Sequence, residues 1–185
     1  LPRIIKTLRE VEPGIDIEIH STNEVRDLNR READIAIRSV RPTQPELIAK
    51  KLCSVRGHLY AAKSYSRQLG HPLTIDELNK ASFIDTENPG RLMELLNSRG
   101  LTLNKQNFPV ISNSHVVQWE LVKQGVVICA TVEEIGDNEP LVERIIISDL
   151  PLITMDLWLV THNELRTSRR IRRVFDFLVS EFSYK

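Results

Sequence analysis

Residues 15–38 read IDIEIHSTNEVRDLNRREADIAIR, and this stretch decides the fold class that we expect of the chain. Its first part, IDIEIH, alternates apolar and polar side chains, which is typical of a strand with one buried face. Ser21 and Glu24 follow at the spacing of a capping box, so the next segment is expected to begin a helix. The last part, ADIAIR, is a second predicted strand, which ends at Arg38. Two strands joined by a crossover helix predict a parallel βαβ unit.

Small polar residues stand where this unit changes from strand to helix. In open parallel sheets, ligands bind in the crevice beyond the carboxyl ends of the strands. Ser21 and Thr22 would there begin a helix, whose N-terminal N–H groups and about half a positive charge favour an anion. Arg38, at the end of the next strand, could bind a carboxylate through two hydrogen bonds. The alternatives are that Ser21 and Thr22 are ordinary helix caps and that Arg38 pairs with a neighbouring acidic residue.

The second half of the chain repeats this arrangement. Its predicted elements are a strand at 108–111, a helix at 116–123 and a buried strand at 126–130. Ser112, Asn113 and Ser114 stand between the first strand and the helix, so they are expected either to cap the helix or to contact an anion. Asp85 and Thr86 follow another predicted strand end. Since a carboxylate would repel an anion, Asp85 could instead select an amino or hydroxyl group on the ligand.

The remaining apolar patterns also predict an α/β protein. Apolar residues at helical spacing predict an opening helix over residues 1–11, and a capping box begins a short helix at Thr74. The further predicted elements are strands at 47–52, 58–62, 82–85 and 155–160, and helices at 91–97 and from 171 onward. A chain of 185 residues is long enough for one domain, or for two small lobes, with an apolar core.

The composition narrows the function classes. With 25 basic and 25 acidic residues the formal net charge is zero, which makes this chain by itself a poor candidate for binding nucleic acid through phosphates. No apolar run approaches the roughly 20 residues that a membrane-spanning helix needs. The histidines lack metal-binding spacing, and neither a phosphate loop nor a Gly-x-Ser-x-Gly motif occurs, so we expect no enzyme, metal or cofactor. The start, Leu1-Pro2-Arg3, lacks a signal-peptide pattern and an initiator Met, so a piece of a longer protein is expected.

Two cysteines and one basic run have alternative interpretations. Cys53 and Cys129 lie in apolar or mixed strand-like stretches, so we expect two buried free thiols rather than a disulfide or a metal site. A redox input through these thiols is the lesser alternative. The basic run comprises Arg166, Arg169, Arg170, Arg172 and Arg173. It could touch DNA, but the favoured interpretation is solvation or pairing with acidic residues of another lobe or subunit, such as Glu133, Glu134, Asp137 or Glu139.

The sequence resembles the effector-binding domain of LysR-type transcriptional regulators in four stretches that cover nearly the whole chain. They are residues 1–15 running into DIAIR at 34–38, HLYAAKSY at 58–65 with GHP at 70–72, LVKQGVVI at 121–128, and LWLVTH at 157–162 followed by FDFL at 175–178. The resemblance implies an α/β fold of two Rossmann-like lobes joined by two crossover strands, like that of type II periplasmic binding proteins. It implies a lobe I formed by residues 1–60 plus 161–185 and a lobe II formed by residues 61–160.

The resemblance also implies a sensor without chemistry of its own. A small-molecule effector, expected to be anionic, would bind between the lobes and alter promoter DNA binding by an N-terminal winged helix-turn-helix domain, which this sequence lacks. The family implies a cytoplasmic homodimer or homotetramer, with RNA polymerase as a possible further partner and no membrane association. The expected dimer surfaces are the helices at 1–11 and 116–123, and Trp119 of the second helix belongs either to the core or to the face that pairs with a second subunit. A solute-binding protein of a transport system is the alternative from another class.

The sequence departs from the family pattern at the expected floor of lobe II. Val127 stands where members usually have a second glycine after Gly125, and Ala130-Thr131 replaces a Leu-Pro pair that members often have. The identity of the effector therefore cannot be carried over from any relative.

Overall fold

A computed structural model describes residues 1–21, 33–70, 73–86, 90–146 and 153–183 of the chain. Over these ranges the helices are α1 (Pro2–Val11), α2 (Lys63–Leu69), α3 (Ile75–Leu78), α4 (Arg91–Asn97), α5 (His115–Lys123), α6 (Glu133–Gly136) and α7 (Arg169–Ser183). The strands are β1 (Ile35–Arg38), β2 (Leu47–Ala62), β3 (Ile84–Asp85), β4 (Val110–Ile111), β5 (Cys129–Val132), β6 (Val142–Ile145) and β7 (Ile153–His162). Short 3-10 helices span Lys105–Asn107 and Asn163–Thr167.

The chain divides into two compact units that each combine helices and strands. Unit 1 comprises Leu1–Val55 and Met155–Lys185, and unit 2 comprises Arg56–Thr154. The chain passes from one unit to the other within β2 and again within β7. The predicted α/β fold class is confirmed. The predicted lobe boundaries, after residue 60 and before residue 161, lie a few residues further along the same two strands.

Unit 1 is built on strand β7, which has β1 and β2 as its neighbours. β1 runs antiparallel to β7, with Ile35 opposite Thr161. Helix α1 forms where the apolar periodicity predicted it and packs against α7, with Leu8 completely buried. It ends just before Glu12-Pro13, because a proline disfavours helical backbone in the residue that precedes it. The buried residues of this core are Ile4, Leu52, Leu159 and Leu178.

The prediction of a strand at residues 15–20 is wrong. These residues belong to neither a helix nor a strand, and Ile19 is 58% exposed. The predicted parallel βαβ unit is wrong as well, because its first strand does not form, and its second strand, β1, pairs with β7 in the antiparallel direction. Alternation shows which side chains could face a core, but a strand exists only where a neighbouring strand shares its backbone hydrogen bonds. The helix predicted after Ser21 lies outside the described residues, and so does Thr22.

Unit 2 contains a small parallel arrangement of strands. β3 and β4 are parallel, with Ile84 opposite Val110. On the other side of β3, Phe83 forms a parallel bridge with Ile128, immediately before β5. Helix α5 therefore connects two parallel segments that flank β3, and the strand–helix–strand unit predicted in this half of the chain is confirmed. Gly125 follows α5 with a φ of 73°, a left-handed conformation that suits glycine at a helix C-terminus.

Strand β2 carries the antiparallel part of unit 2. β5 and β6 both pair with it, so that Tyr60 lies opposite Cys129 on one side and Arg144 on the other. The sequence patterns predicted two strands, at 47–52 and 58–62, where the structure has the single strand β2. They did not predict α2, α6 or β6. The buried core of unit 2 includes Leu59, Ala61, Phe83, Leu96, Val122, Val127 and Ile128.

Candidate functional site

Five predicted site residues lie at one edge of unit 2, which we call the polar edge and define as Asp85, Thr86, Ser112, Asn113 and Ser114. Asp85 is the last residue of β3, and Ser112 follows the last residue of β4. Because these strands are parallel, they end side by side. The Ser112 N–H donates to the Asp85 carbonyl oxygen at 3.1 Å. The structure therefore brings together two loops that are distant in sequence, at the position where parallel sheets bind ligands.

The Asp85 carboxylate organises the first of these loops. The side chain is buried, with 6% exposure. One oxygen, Oδ1, accepts from the Thr86 N–H at 2.7 Å, and Oδ2 accepts from the N–H groups of Gly90 at 3.3 Å and Leu92 at 3.1 Å. The last two groups lie at the beginning of α4, so Asp85 caps that helix from a distance and its charge is balanced by backbone donors. The selection of a ligand amino or hydroxyl group by Asp85 stays a prediction.

The second loop leads into the N-terminus of α5. The Ser114 hydroxyl accepts from the Val117 N–H at 3.4 Å, which makes Ser114 the N-cap, one of the two roles predicted for it. The Ser112 hydroxyl accepts from the Ser114 N–H at 3.1 Å. Asn113, between them, is exposed. The nine-residue helix α5 thus begins at the polar edge with ordered hydroxyl groups around its first turn.

Sequence patterns missed one residue of this site, Gln118. It lies on α5 with 7% exposure. Its Nε2 donates to the carbonyl oxygen of Ser112 at 2.5 Å, and Nε2 lies 3.5 Å from the carbonyl oxygen of Asp85. The available signal was its spacing from Val122, which places a polar side chain on the buried face of the helix. Nothing in the sequence indicates which carbonyl groups that side chain would meet.

The candidate residues of unit 1 lie at other elements. Ser21 is exposed and lies outside helices and strands. Arg38 is half-buried at the end of β1, opposite Trp158 of β7. The guanidinium of Arg41 lies over the Trp158 ring, 5.2 Å from its centroid, as in a cation–π contact. The predicted effector contacts are thus divided between the two units.

A second polar cluster, also missed from the sequence, attaches α6 to the sheet of unit 2. His58 Nε2 lies 2.7 Å from Glu133 Oε1, and the Tyr60 hydroxyl donates to Asp137 Oδ1 at 2.7 Å. Arg144 Nε donates to the same Asp137 oxygen at 3.3 Å. Burial and the Asp137 contact raise the pKa of Tyr60 to about 12. The Tyr60 hydroxyl and then Arg144 lower the pKa of Asp137. These groups form hydrogen bonds with one another, so the cluster holds α6 against the sheet of unit 2.

The two cysteines differ in their burial. Cys129 is a free thiol buried at 4% exposure, whereas Cys53 is half-buried, so the prediction of two buried thiols is confirmed for Cys129 and wrong for Cys53. Burial raises the pKa of the Cys129 thiol to about 12, which suppresses the reactive thiolate. Among the described residues, no group of three or more His, Cys, Asp or Glu side chains could hold a metal ion. Over the same ranges, no helix is long and apolar enough to cross a membrane.

The basic run at the start of α7 has acidic partners within unit 1. Arg172 Nε lies 3.8 Å from Asp176 Oδ2, one turn further along the helix. Arg173 pairs with Glu12. The predicted pairing with acidic residues is therefore seen for Arg172 and Arg173, but their partners lie in the same unit and are not the predicted residues of another lobe or subunit.

Two α/β units joined by two strands, with helix-capping loops gathered at a strand edge, define a class of small-molecule-binding domains. The model of the LysR substrate binding domain family matches residues 1–183, and the chain belongs to this family. A curated relative is an HTH-type transcriptional regulator of Xanthomonas campestris pv. campestris (strain 8004), 41% identical over 66 residues. That match covers 36% of this chain and 19% of the relative, so the aligned stretch spans only about a fifth of that relative's length.

Solved structures of regulators share the fold. The regulatory domain of CrgA from Neisseria meningitidis matches with a TM-score of 0.82 at 22% identity, covering 98% of this chain and 91% of that domain. The AmpR effector binding domain from Citrobacter freundii matches with a TM-score of 0.74 at 14% identity, covering 99% and 91%. At these identities the likeness concerns the fold. The family match favours the regulator over a solute-binding protein.

Proposed function

We propose that this chain senses an anionic small molecule for a bacterial LysR-type transcriptional regulator, and that it performs no chemistry of its own. The observation that supports this function best is the polar edge of unit 2. There a nine-residue helix begins beside ordered serine hydroxyls, in a chain of the LysR substrate binding domain family. Helix N-termini bind carboxylate, sulfate or phosphate without any catalytic group.

The charge distribution at the polar edge is compatible with an anion. The single acidic side chain of the edge, Asp85, is buried and accepts three backbone N–H groups. Its charge is therefore compensated before any ligand binds. We propose Thr86, Ser112, Asn113 and Ser114 as the effector contacts of unit 2. Ser21, Thr22 and Arg38 of unit 1 are proposed as further contacts on the family resemblance.

The effector would act by preferring one arrangement of the subunits over another. A ligand shifts such an equilibrium only by its difference in affinity for the two states. We propose that this shift alters promoter binding by an N-terminal winged helix-turn-helix domain of the full-length regulator. Contact with promoter DNA would place that regulator in the cytoplasm, where RNA polymerase is a further candidate partner.

The oligomer is proposed to be a homodimer, or a homotetramer built from it, through α1 and α5. Val116 on α5 is 73% exposed, and Leu1 beside α1 is 47% exposed. The Trp119 ring packs edge-to-face on Tyr60, with ring centroids 6.3 Å apart, so this side chain contributes to the packing within unit 2. Sedimentation should therefore show a dimer that Val116→Asp dissociates, whereas the control Ile146→Asp, at a position that is 78% exposed, leaves it intact. A dimer that tolerates Val116→Asp would contradict this interface.

The anion site is tested by a substitution that keeps the helix cap but repels the ligand. A thermal-shift panel of sulfate, benzoate, glutamate and other small carboxylates first identifies a binding anion. An anion present at 100 times its dissociation constant adds about 2.7 kcal/mol to the stability of the folded state. Ser114→Asp retains an N-cap oxygen, because aspartate caps helices as well as serine does. Its charge should nevertheless weaken the binding of the anion at least about tenfold.

Thr74→Asp is the matched control for this substitution. Thr74 is the N-cap of α3, where its hydroxyl accepts from the Glu77 N–H in a capping box, and it lies in the same unit. Both variants add one negative charge at a helix N-terminus. Anion binding that survives Ser114→Asp as well as it survives Thr74→Asp would place the site elsewhere.

A further inference from the structure

Gln118 connects the segments of the polar edge through one buried amide. The amide nitrogen donates to the Ser112 carbonyl at 2.5 Å and lies 3.5 Å from the Asp85 carbonyl. The amide oxygen lies 3.3 Å from Nδ1 of His115, the first residue of α5. The Gln118 backbone N–H donates to the Ser114 carbonyl at 2.9 Å. The ends of β3 and β4 and the beginning of α5 are thus joined through a single residue.

The chemistry of this position argues for more than packing. Gln118 shares the buried face of α5 with Val122, which is part of an apolar core. An apolar side chain could fill the space, yet burying an amide is favourable only when its polar groups find partners. Those partners are backbone carbonyls of the two loops that carry the candidate effector contacts. These hydrogen bonds offset the cost of burying the amide, and they also fix the two loops relative to each other.

We propose that Gln118 is the positioning residue of the effector site. It holds the loop after β4 against the end of β3, so that Ser112 and Ser114 are presented to an anion in one arrangement. Gln118 itself is buried and acts through these serines. The inference rests on the proposed function, and it adds a residue that sets how strongly the site binds.

Two substitutions distinguish the effect of the amide hydrogen bonds from the effect of side-chain volume. Gln118→Met keeps the length of the side chain and removes the amide hydrogen bonds. Gln118→Glu keeps the shape but, when ionised, turns a second oxygen toward the carbonyls of Ser112 and Asp85. The new carboxyl would face the carbonyl oxygens of Ser112 and Asp85 and the imidazole of His115, which lies 3.3 Å from the amide oxygen. Burial beside the two carbonyl oxygens should raise the pKa of the carboxyl above its usual value of about 4.3. Once protonated, that carboxyl can again donate to the Ser112 carbonyl. Exposed Gln124, just after α5, provides the matched controls Gln124→Met and Gln124→Glu.

Amide hydrogen exchange tests the positioning without any ligand. The Ser112 N–H donates to the Asp85 carbonyl, and the Ser114 N–H donates to the Ser112 hydroxyl. Both amides should exchange about tenfold faster or more in Gln118→Met, as expected when a buried hydrogen bond that fixes them is lost. Amides of α7 in unit 1 should keep their rates, and so should all amides in Gln124→Met. Unchanged exchange at Ser112 and Ser114 in Gln118→Met would overturn the inference.

Calorimetric titration with benzoate and with sulfate, between pH 5 and pH 8, tests the functional part. Gln118→Met should bind the probe about tenfold more weakly than the wild type at every pH. Gln118→Glu should lose more than that at pH 8 and recover to within about twofold of the wild type at pH 5, because protonation restores its donor. The Gln124 controls should follow the wild type. The recovery relative to the wild type at the same pH is decisive, since His115 and the other titratable groups of the site are common to both proteins. A variant that merely disturbs packing would stay weaker than the wild type at every pH.

The possible failures are distinguishable. If the wild type binds a probe and both Gln118 variants bind it equally well, the inference is wrong and the proposed function stands. A loss in Gln118→Glu that does not recover at pH 5 also overturns the inference. If the wild type binds neither probe nor any anion of the panel, the proposed anion site itself fails, and the inference fails with it.

Discussion

Replacement of Asp85 by asparagine should destabilise unit 2 far more than a typical surface substitution. The carboxylate accepts three backbone N–H groups while only 6% exposed. An asparagine has one acceptor oxygen, so at least one buried N–H meets an amide N–H instead, and the other bonds lose their ionic character. An unsatisfied buried donor costs about 1–3 kcal/mol, and the weakened bonds add to it, so we expect a loss of about 2–4 kcal/mol. For a chain of this size that corresponds to roughly 5–10 °C in Tm.

Urea unfolding followed by tryptophan fluorescence measures the loss of stability in unit 2, which contains Asp85. Trp119 lies in unit 2 and Trp158 in unit 1, so a Trp158→Phe background lets the remaining fluorescence report on unit 2. Asp85→Ala should be less stable than Asp85→Asn, because it removes every side-chain acceptor. Asp76→Asn, an exposed acid in the first turn of α3, is the control and should change the stability by no more than about 1 kcal/mol. An Asp85→Asn effect as small as that of the control would refute the capping role.

Three further predictions concern the interior of unit 2. Because the pKa of Tyr60 is raised to about 12, the stability that its protonated hydroxyl contributes is present below about pH 10 and is lost as the pH rises toward 12. Urea unfolding midpoints measured against pH should show this alkaline loss in the wild type but not in Tyr60→Phe. Gly136→Ala should destabilise the fold by about 1–3 kcal/mol or more, since a Cβ there would lie 2.1 Å from Tyr60 Cζ; thermal unfolding would contradict this if its midpoint were unchanged. Because burial raises the pKa of Cys129 to about 12, a thiol reagent should leave it unmodified in the native protein and modify it after denaturation; a Cys53→Ser background isolates its signal.

The polar edge could be predicted in part. Residues Ser112 to Ser114 were recognised from a strand pattern, small polar residues and a helix pattern in succession, and Ser114 is indeed the N-cap of α5. The nearness of Asp85 to this loop rests on the parallel pairing of β3 with β4, which no local pattern shows. Two of the backbone groups that Asp85 accepts belong to Gly90 and Leu92, at the beginning of the next helix, and the Asp85 carbonyl near Gln118 belongs to a segment distant in sequence. Such contacts depend on where the loops lie in three dimensions.

The sequence by itself determined the elements whose signals are local. Helix α4 spans the predicted residues Arg91–Asn97, and the capping box of Thr74 and Glu77 begins α3, because both features depend on neighbours within about one helical turn. Only the tertiary structure decided the strand pairing. The alternating stretch at residues 15–20 forms no strand, whereas β1 pairs with β7, more than a hundred residues further along the chain. A helix closes its hydrogen bonds within itself, but a strand must find its partner elsewhere, and which partner it finds depends on the packing of the whole unit.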